Sequence, residues 1–323
     1  MGTTVPRTMK AAAIDRFGGP EVLQLKDLPV PKPGPNDVLI ELASAGIGVW
    51  DPEERSGELE LGGARGFPRV IGNDGAGTVV GVGEKVERFK VGDRVYAYGF
   101  EGGFYAEYVA APEEDVASVP PGVSLREAGA LGADGITALL GLEDQLGVRA
   151  GQTLMIFGAS GGVGHLAVQL AKRLGARVLA VASGADGVAL VRRLGADEAV
   201  DGRKDDVGGA ARAFAPGGLD AALVLVNKKG SGLDEALRAV KREGRVAFPN
   251  GVEPQPRAPK GLQVLAYDGM PDRDAFERLN RLIGSEPFHV ELGGVFRLEE
   301  AAAAHRQLAK HHLGKLAFEI RPS

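Results

Sequence analysis

Three glycines within four residues set the first chemical expectation. Residues 159–164 read Ala159-Ser160-Gly161-Gly162-Val163-Gly164, and a segment so poor in side chains lets backbone amides come close to a bound group. Glycines at this spacing serve a tight turn, close approach to a pyrophosphate, and close packing of a helix on a strand. The group they suit is a dinucleotide, whose phosphates would face the unpaired N–H groups and positive end of the helix that follows. Ala159 replaces the first glycine of the commonest form of this fingerprint. Ser160, Gly161, Gly162 and Val163 are therefore the candidate phosphate-binding residues.

Such a loop needs a strand before it and a helix after it. Residues 153–157 are an apolar run suited to a buried strand, and 177–182 form a second one. Between them Val163, Leu166, Ala167, Leu170, Ala171 and Leu174 recur at helical spacing, which predicts a helix over 163–174 with one buried face. Strand-like 221–226, 245–248 and 262–267 then alternate with helix-like 188–194 and 233–241, as an α/β doubly wound parallel sheet of the Rossmann type requires. Helix-like 272–282 and 298–309 and a strand at 315–320 follow.

With 323 residues the chain has room for two domains with separate cores. Its 44% hydrophobic and 25% charged residues are ordinary for a globular protein, and a net charge of −5 gives no general attraction to nucleic acid or anionic membrane. The absence of cysteine excludes disulfides, thiolate-bound zinc, iron–sulfur clusters and a cysteine nucleophile, and points to a cytoplasmic location. No apolar run approaches the ~18 residues of a membrane span.

The first third of the chain has a different texture. Residues 10–14 and 22–25 predict a β-hairpin, 29–35 are proline-rich and extended, and 37–45 predict a strand entering the loop Gly46-Ile47-Gly48-Val49-Trp50-Asp51-Pro52. From 70 to 95, short valine-rich strands are interrupted by glycine at regular spacing, which suits a small, bent, barrel-like sheet.

Residues 72–95 follow the pattern G-x-D-G-A-G-x-V-x-x-V-G-x-x-V-x-x-F-x-x-G-D-R-V. This pattern resembles the quinone oxidoreductase branch of the medium-chain dehydrogenase/reductases. The resemblance continues through residues 103–108, Gly135-Ile136-Thr137-Ala138, the glycine loop, Leu194-Gly195-Ala196-Asp197, and His305 with Gly314-Lys315. It implies a GroES-like β-barrel catalytic domain over 1–127 and 270–323, with the dinucleotide-binding domain inserted over 128–269. It also implies pocket residues Gly48, Val49, Trp50, Asp51 and Tyr98. Trp50 would stack on a flat acceptor, Tyr98 would donate a hydrogen bond to its oxygen, and Asp51 completes the catalytic candidates. Thr137, Val226, Pro249, Asn250, Tyr267 and Lys315 join the glycine loop, Gly48 and Val49 as cofactor-binding candidates.

Zinc-dependent relatives carry a cysteine and a Gly-His-Glu where this chain resembles them at Gly48 and Gly72-Asn73-Asp74. Glycine and an asparagine amide are not normal zinc ligands. His165, His305, His311 and His312 lack metal-ligand spacing and read as surface or helix-face residues, and Asp74 as a turn or cap residue. Without a metal, hydride transfer suits an acceptor activated by conjugation, a quinone or α,β-unsaturated carbonyl. An enoyl-thioester reductase and a non-catalytic NADPH-binding protein, like the lens and RNA-binding relatives of this branch, remain as alternatives. Strand 177–182 ends in Ser183-Gly184 with no carboxylate at its tip, so Ser183, with Arg203 or Arg192, favours NADPH. The apolar stretch 262–267 is the expected pairing edge of a homodimer.

Overall fold

Apolar alternation from Thr8 onward produces β1 (Thr8–Ile14), which pairs antiparallel with β2 (Gln24–Pro29). Val22 lies in the 3-10 turn Pro20–Val22 between them and not in the strand. The chain continues through β3 (Asp37–Ile47), α1 (Asp51–Ser56), β4 (Arg69–Val70), β5 (Asp74–Val82), β6 (Arg94–Tyr98), β7 (Tyr108–Pro112), β8 (Val116–Ser118), α2 (Leu125–Ala128) and α3 (Gly132–Leu140). This computed structural model describes residues 5–59, 66–226, 232–257, 259–284 and 286–321.

The second half runs β9 (Thr153–Phe157), α4 (Gly162–Arg173), β10 (Arg177–Ala182), α5 (Gly184–Arg193), β11 (Glu198–Asp201), α6 (Val207–Phe214), β12 (Leu219–Val224), α7 (Leu233–Leu237), β13 (Val240–Pro249) and β14 (Gln263–Tyr267). After α8 (Arg273–Ile283) come β15 (Leu292–Phe296), α9 (Ala301–Leu308) and β16 (Lys315–Glu319). Strands β9 and β10 have the bounds that their apolar runs predict. The helix expected over 233–241 ends at Leu237, because Val240 is already paired with Leu219 in the sheet.

The chain divides into two compact units: residues 1–133, 271–280 and 292–323 form one, and 134–270 with 281–291 the other. In the first, β2, β1 and β4 make a three-stranded sheet, and β15, β16, β3, β5, β6 and β8 are successive neighbours in a seven-stranded one, with β7 on β3. Strand β3 is the spine. It pairs antiparallel with β5, β7 and β16, and its register against β5 shifts at Leu39/Ile40 and Leu42/Ser44, bulges that bend the strand. Its inward residues Ile40, Leu42 and Ile47 share a core with Phe104, Tyr105 and Phe318.

In the second unit six strands lie in the order β11-β10-β9-β12-β13-β14, all parallel. This is the order of a doubly wound dinucleotide-binding sheet, with the direction of progression reversing beside β9. The glycine loop leaves the carboxyl end of β9 at that reversal. The fold class is thus α/β, with a GroES-like unit and a Rossmann sheet.

Candidate functional site: a glycine loop and a buried acid–tyrosine–histidine chain

In the second unit, the turn after β9 requires glycine where the backbone packs closely. Gly158 has φ +92°, and a Cβ on Gly164 would fall 2.2 Å from the Gly158 carbonyl, so helix α4 approaches the strand through that position. Gly161 caps α4 without a side-chain hydrogen bond, and the first turn holds no acidic residue. A Cβ on Gly161 would meet only the Gly158 oxygen, at 3.6 Å, so this face of the loop is open. An uncapped, acid-free helix start behind an open glycine face fits a pyrophosphate.

Two carboxylates near this loop escape the sequence reading. A Cβ on Gly162 would lie 2.2 Å from Asp134 Oδ2, which places the Asp134 side chain beside the loop. Asp201, at the end of β11, pairs in register with Ala182 at the end of β10. Its Oδ1 accepts from the Gly184 and Arg203 amides, each at 3.0 Å, and these bonds hold its acid below the usual range. A carboxylate therefore does stand beside Ser183, correcting the expectation drawn from β10 alone. The usual spacing rule overlooks it because Asp201 belongs to the neighbouring strand.

Ser183 donates its amide to Ser160 Oγ at 3.3 Å, tying the tip of β10 to the glycine loop. Of the other candidates here, Asn250 donates through Nδ2 to Asp268, and Tyr267, buried at the end of β14, donates its hydroxyl to the Thr137 carbonyl at 3.0 Å. Val226 follows β12, Pro249 ends β13, and Arg203 is exposed. His165 is not a surface residue: it has no exposed area.

In the first unit, Val49 is exposed and Trp50 stands at the start of α1. Asp51 is only 2% exposed, and its Oδ2 accepts from the Gly48 amide at 2.7 Å and the Tyr105 hydroxyl at 2.5 Å. Tyr105 Oη lies 3.1 Å from His305 Nε2, and His305 Nδ1 lies 2.8 Å from Arg55 Nη1. Arginine can only donate, so His305 Nδ1 accepts and its proton sits on Nε2. Every hydrogen then points the same way, from Arg55 through His305 and Tyr105 to Asp51. Burial raises the Asp51 carboxyl to about 6 against these donors, while burial and the Arg55 charge lower His305 to about 3. Burial and the Asp51 charge push the Tyr105 phenol well above its ordinary range.

This chain redefines several expected roles. Asp51 braces the Gly48–Asp51 turn and is not displayed as a free acid or base. His305 is buried within the chain, contrary to a surface reading. Tyr98, at the end of β6, is fully buried with its ring 5.4 Å from Phe100. Lys315 is 3% exposed and pairs with Asp74 at 2.9 Å inside the unit. Asp74 Oδ2 also accepts the Ala133 amide, and a Cβ on Gly46 would fall 2.3 Å from Asp74 Oδ1. Asn73, 6% exposed, points Nδ2 toward Asp51 Oδ1 at 3.5 Å, while its Oδ1 finds no hydrogen-bond partner among the described residues. Among the described residues no three His, Cys, Asp or Glu side chains converge to hold a metal.

Residues 34–121 match the family described as alcohol dehydrogenase GroES-like domain, and residues 162–264 that described as zinc-binding dehydrogenase. The quinone oxidoreductase of Mus musculus is 31% identical over 331 residues, with 97% of each chain covered. A solved NAD-dependent alcohol dehydrogenase is 30% identical, with a TM-score of 0.86 over 97% of this chain and 100% of that one. A mycobacterial protein solved with NADPH is 29% identical, with a TM-score of 0.81 and the same coverage. The glycine loop on its Rossmann sheet, the GroES-like unit and these full-length similarities converge, and the chain belongs to the quinone oxidoreductase branch of the medium-chain dehydrogenase/reductases, as an NAD(P)H-dependent oxidoreductase.

Proposed function

We propose that this oxidoreductase works without zinc and uses NADPH to reduce a quinone or an α,β-unsaturated carbonyl. The observation that carries this reading is the chemistry at residues 48 and 73, where a hydrogen and a neutral amide replace the thiolate and imidazole of zinc-dependent relatives. A reduced nicotinamide, when bound, supplies a hydride to a carbon made electrophilic by conjugation. Alcohol oxidation, by contrast, asks for a group that lowers the pKa of the hydroxyl, and Asp51 is already committed to Gly48 and Tyr105.

The residues of this chain then divide the work. Gly161, Gly162 and Val163 present the helix end to the pyrophosphate. Ser183 offers a hydroxyl toward a 2′-phosphate, with the Arg203 amide and the Asp201 carboxylate beside it, and the charge of Asp201 opposes that phosphate. Asp51 holds the turn that carries Val49 and Trp50, the surfaces offered to a flat acceptor. The molecule works as a homodimer through β14, which ends its sheet and leaves Val264 39% exposed.

The test offers benzoquinone, a simple enone, crotonyl-CoA and a primary alcohol in parallel, with NADPH or NADH (oxidised for the alcohol), before and after exhaustive chelation. Turnover with quinone or enone, higher with NADPH and unchanged by chelation, is expected. Preference for crotonyl-CoA supports an enoyl-thioester reductase, and cofactor binding without turnover supports a binding protein. A stoichiometric zinc whose removal abolishes turnover refutes the reading.

A further inference from the structure

His165 occupies the first turn of α4, one residue past the last glycine of the loop, and two bonds fix its ring. Nε2 lies 3.0 Å from the Glu291 amide and Nδ1 lies 3.0 Å from the Gly161 carbonyl. A backbone N–H can only donate, so Nε2 is the lone-pair nitrogen and the proton is on Nδ1, where it donates to Gly161. The ring is therefore neutral, in agreement with the lowering of its pKa to about 4 by burial. The Gly161 carbonyl also receives the His165 backbone amide at 3.0 Å, so one residue grips the same oxygen twice.

That oxygen belongs to the Gly161–Gly162 peptide. A trans peptide is planar, with its C=O and N–H pointing in opposite directions. Fixing the Gly161 carbonyl along α4 thus aims the Gly162 N–H outward from the helix start. The cap residue, a glycine, adds no side-chain hydrogen bond of its own to this turn. We propose that His165 is a positioning residue for the dinucleotide: its ring locks the Gly161–Gly162 peptide with the Gly162 N–H toward the phosphate.

Gln169, one turn later, provides an internal comparison. Its amide bonds the His289 backbone in both directions, at 2.8 and 2.9 Å, and its Nε2 also donates to the His165 carbonyl at 3.1 Å, so it clamps the same 289–291 segment to α4 without touching the Gly161 carbonyl. If His165 were only a packing residue, the two positions would behave alike.

The inference rests on the cofactor reading above, so binding is measured directly. NADPH dissociation constants come from nucleotide fluorescence on wild type, His165→Leu, His165→Asn and Gln169→Leu, with thermal midpoints on each. His165→Leu loses both ring bonds and is expected to weaken NADPH about tenfold, the scale of one well-placed hydrogen bond. His165→Asn, whose amide can replace the Nδ1 donor to Gly161, should stay within about threefold of wild type. Gln169→Leu should lower the midpoint while leaving affinity within about twofold. Wild-type affinity in His165→Leu, or equal losses in His165→Leu and Gln169→Leu, overturns the proposal. A wild type that binds neither NADPH nor NADH sinks the cofactor reading instead, and the two failures are distinguishable.

Discussion

Replacing Asp51 with asparagine tests the buried chain most directly. Burial moves its carboxyl from 3.8 to about 6, so between these values the native state holds a proton that the unfolded chain has released. Stability consequently falls as pH rises through this window and is level above it, the sign required when the native state binds more protons. A shift of about two units corresponds to about 3 kcal/mol at full ionisation. The substituted amide carries no charge to bury. Its oxygen can still accept from Gly48 and Tyr105, and its nitrogen can donate to Asn73 Oδ1 once the Asn73 amide flips, giving a partner to an acceptor that now lacks one among the described residues. Asp51→Asn is therefore expected to match wild type near pH 4 and to exceed it by about 2 to 3 kcal/mol at pH 7. Urea midpoints from pH 4 to 7.5 measure this, read by the fluorescence of Trp50, the chain's single tryptophan, which adjoins the substitution. Taking the difference between the proteins removes other groups such as Asp115, itself raised to about 6. Turnover of the variant should stay within about tenfold of wild type, because a catalytic acid or base contributes on the order of 100-fold or more. An Asp51→Asn protein less stable than wild type at pH 7, or a stability difference flat across this range, refutes the assignment of a strained buried carboxylate.

Ser183→Asp should cost NADPH on the order of 1–3 kcal/mol in kcat/KM and leave NADH little changed, and an unmoved cofactor ratio would show that Ser183 does not read the 2′-phosphate. Asp134→Asn removes a negative charge beside Gly162 and should tighten both cofactors by about 1 kcal/mol; weaker binding measured by titration would mean that the carboxylate contacts the cofactor instead. Val264→Asp on the exposed edge strand should shift the mass measured by light scattering from dimer to monomer. A wild type that is already monomeric across a concentration series removes the β14 interface from consideration.

The sequence determined the layout because each part of it is local. The apolar runs at 153–157 and 177–182 fix β9 and β10 to the residue, the 3.6-residue period of Val163 through Leu174 fixes α4 to within one residue, and the glycine spacing places the turn between β9 and α4. Residue types alone also put a glycine at 48 and an asparagine at 73, neither of them a normal zinc ligand. The tertiary structure decided everything that depends on residues distant in the chain. Asp51, Tyr105 and His305 lie 54 and 200 residues apart in their two bonded steps, and only the packing of β3, β16 and α9 makes them a chain. Lys315 and Asp74 are separated by 241 positions, so nothing local could show that they pair. Asp201 became a neighbour of Ser183 only through the register of β11 on β10. His165 looked like a helix-face residue because periodicity reports a face but not what covers it, and the Glu291 amide that covers it lies 126 residues on. Side-chain periodicity and loop chemistry are written in consecutive residues, whereas burial and hydrogen-bond partners across a sheet are set by topology, and these determine the protonation of Asp51, His165 and His305.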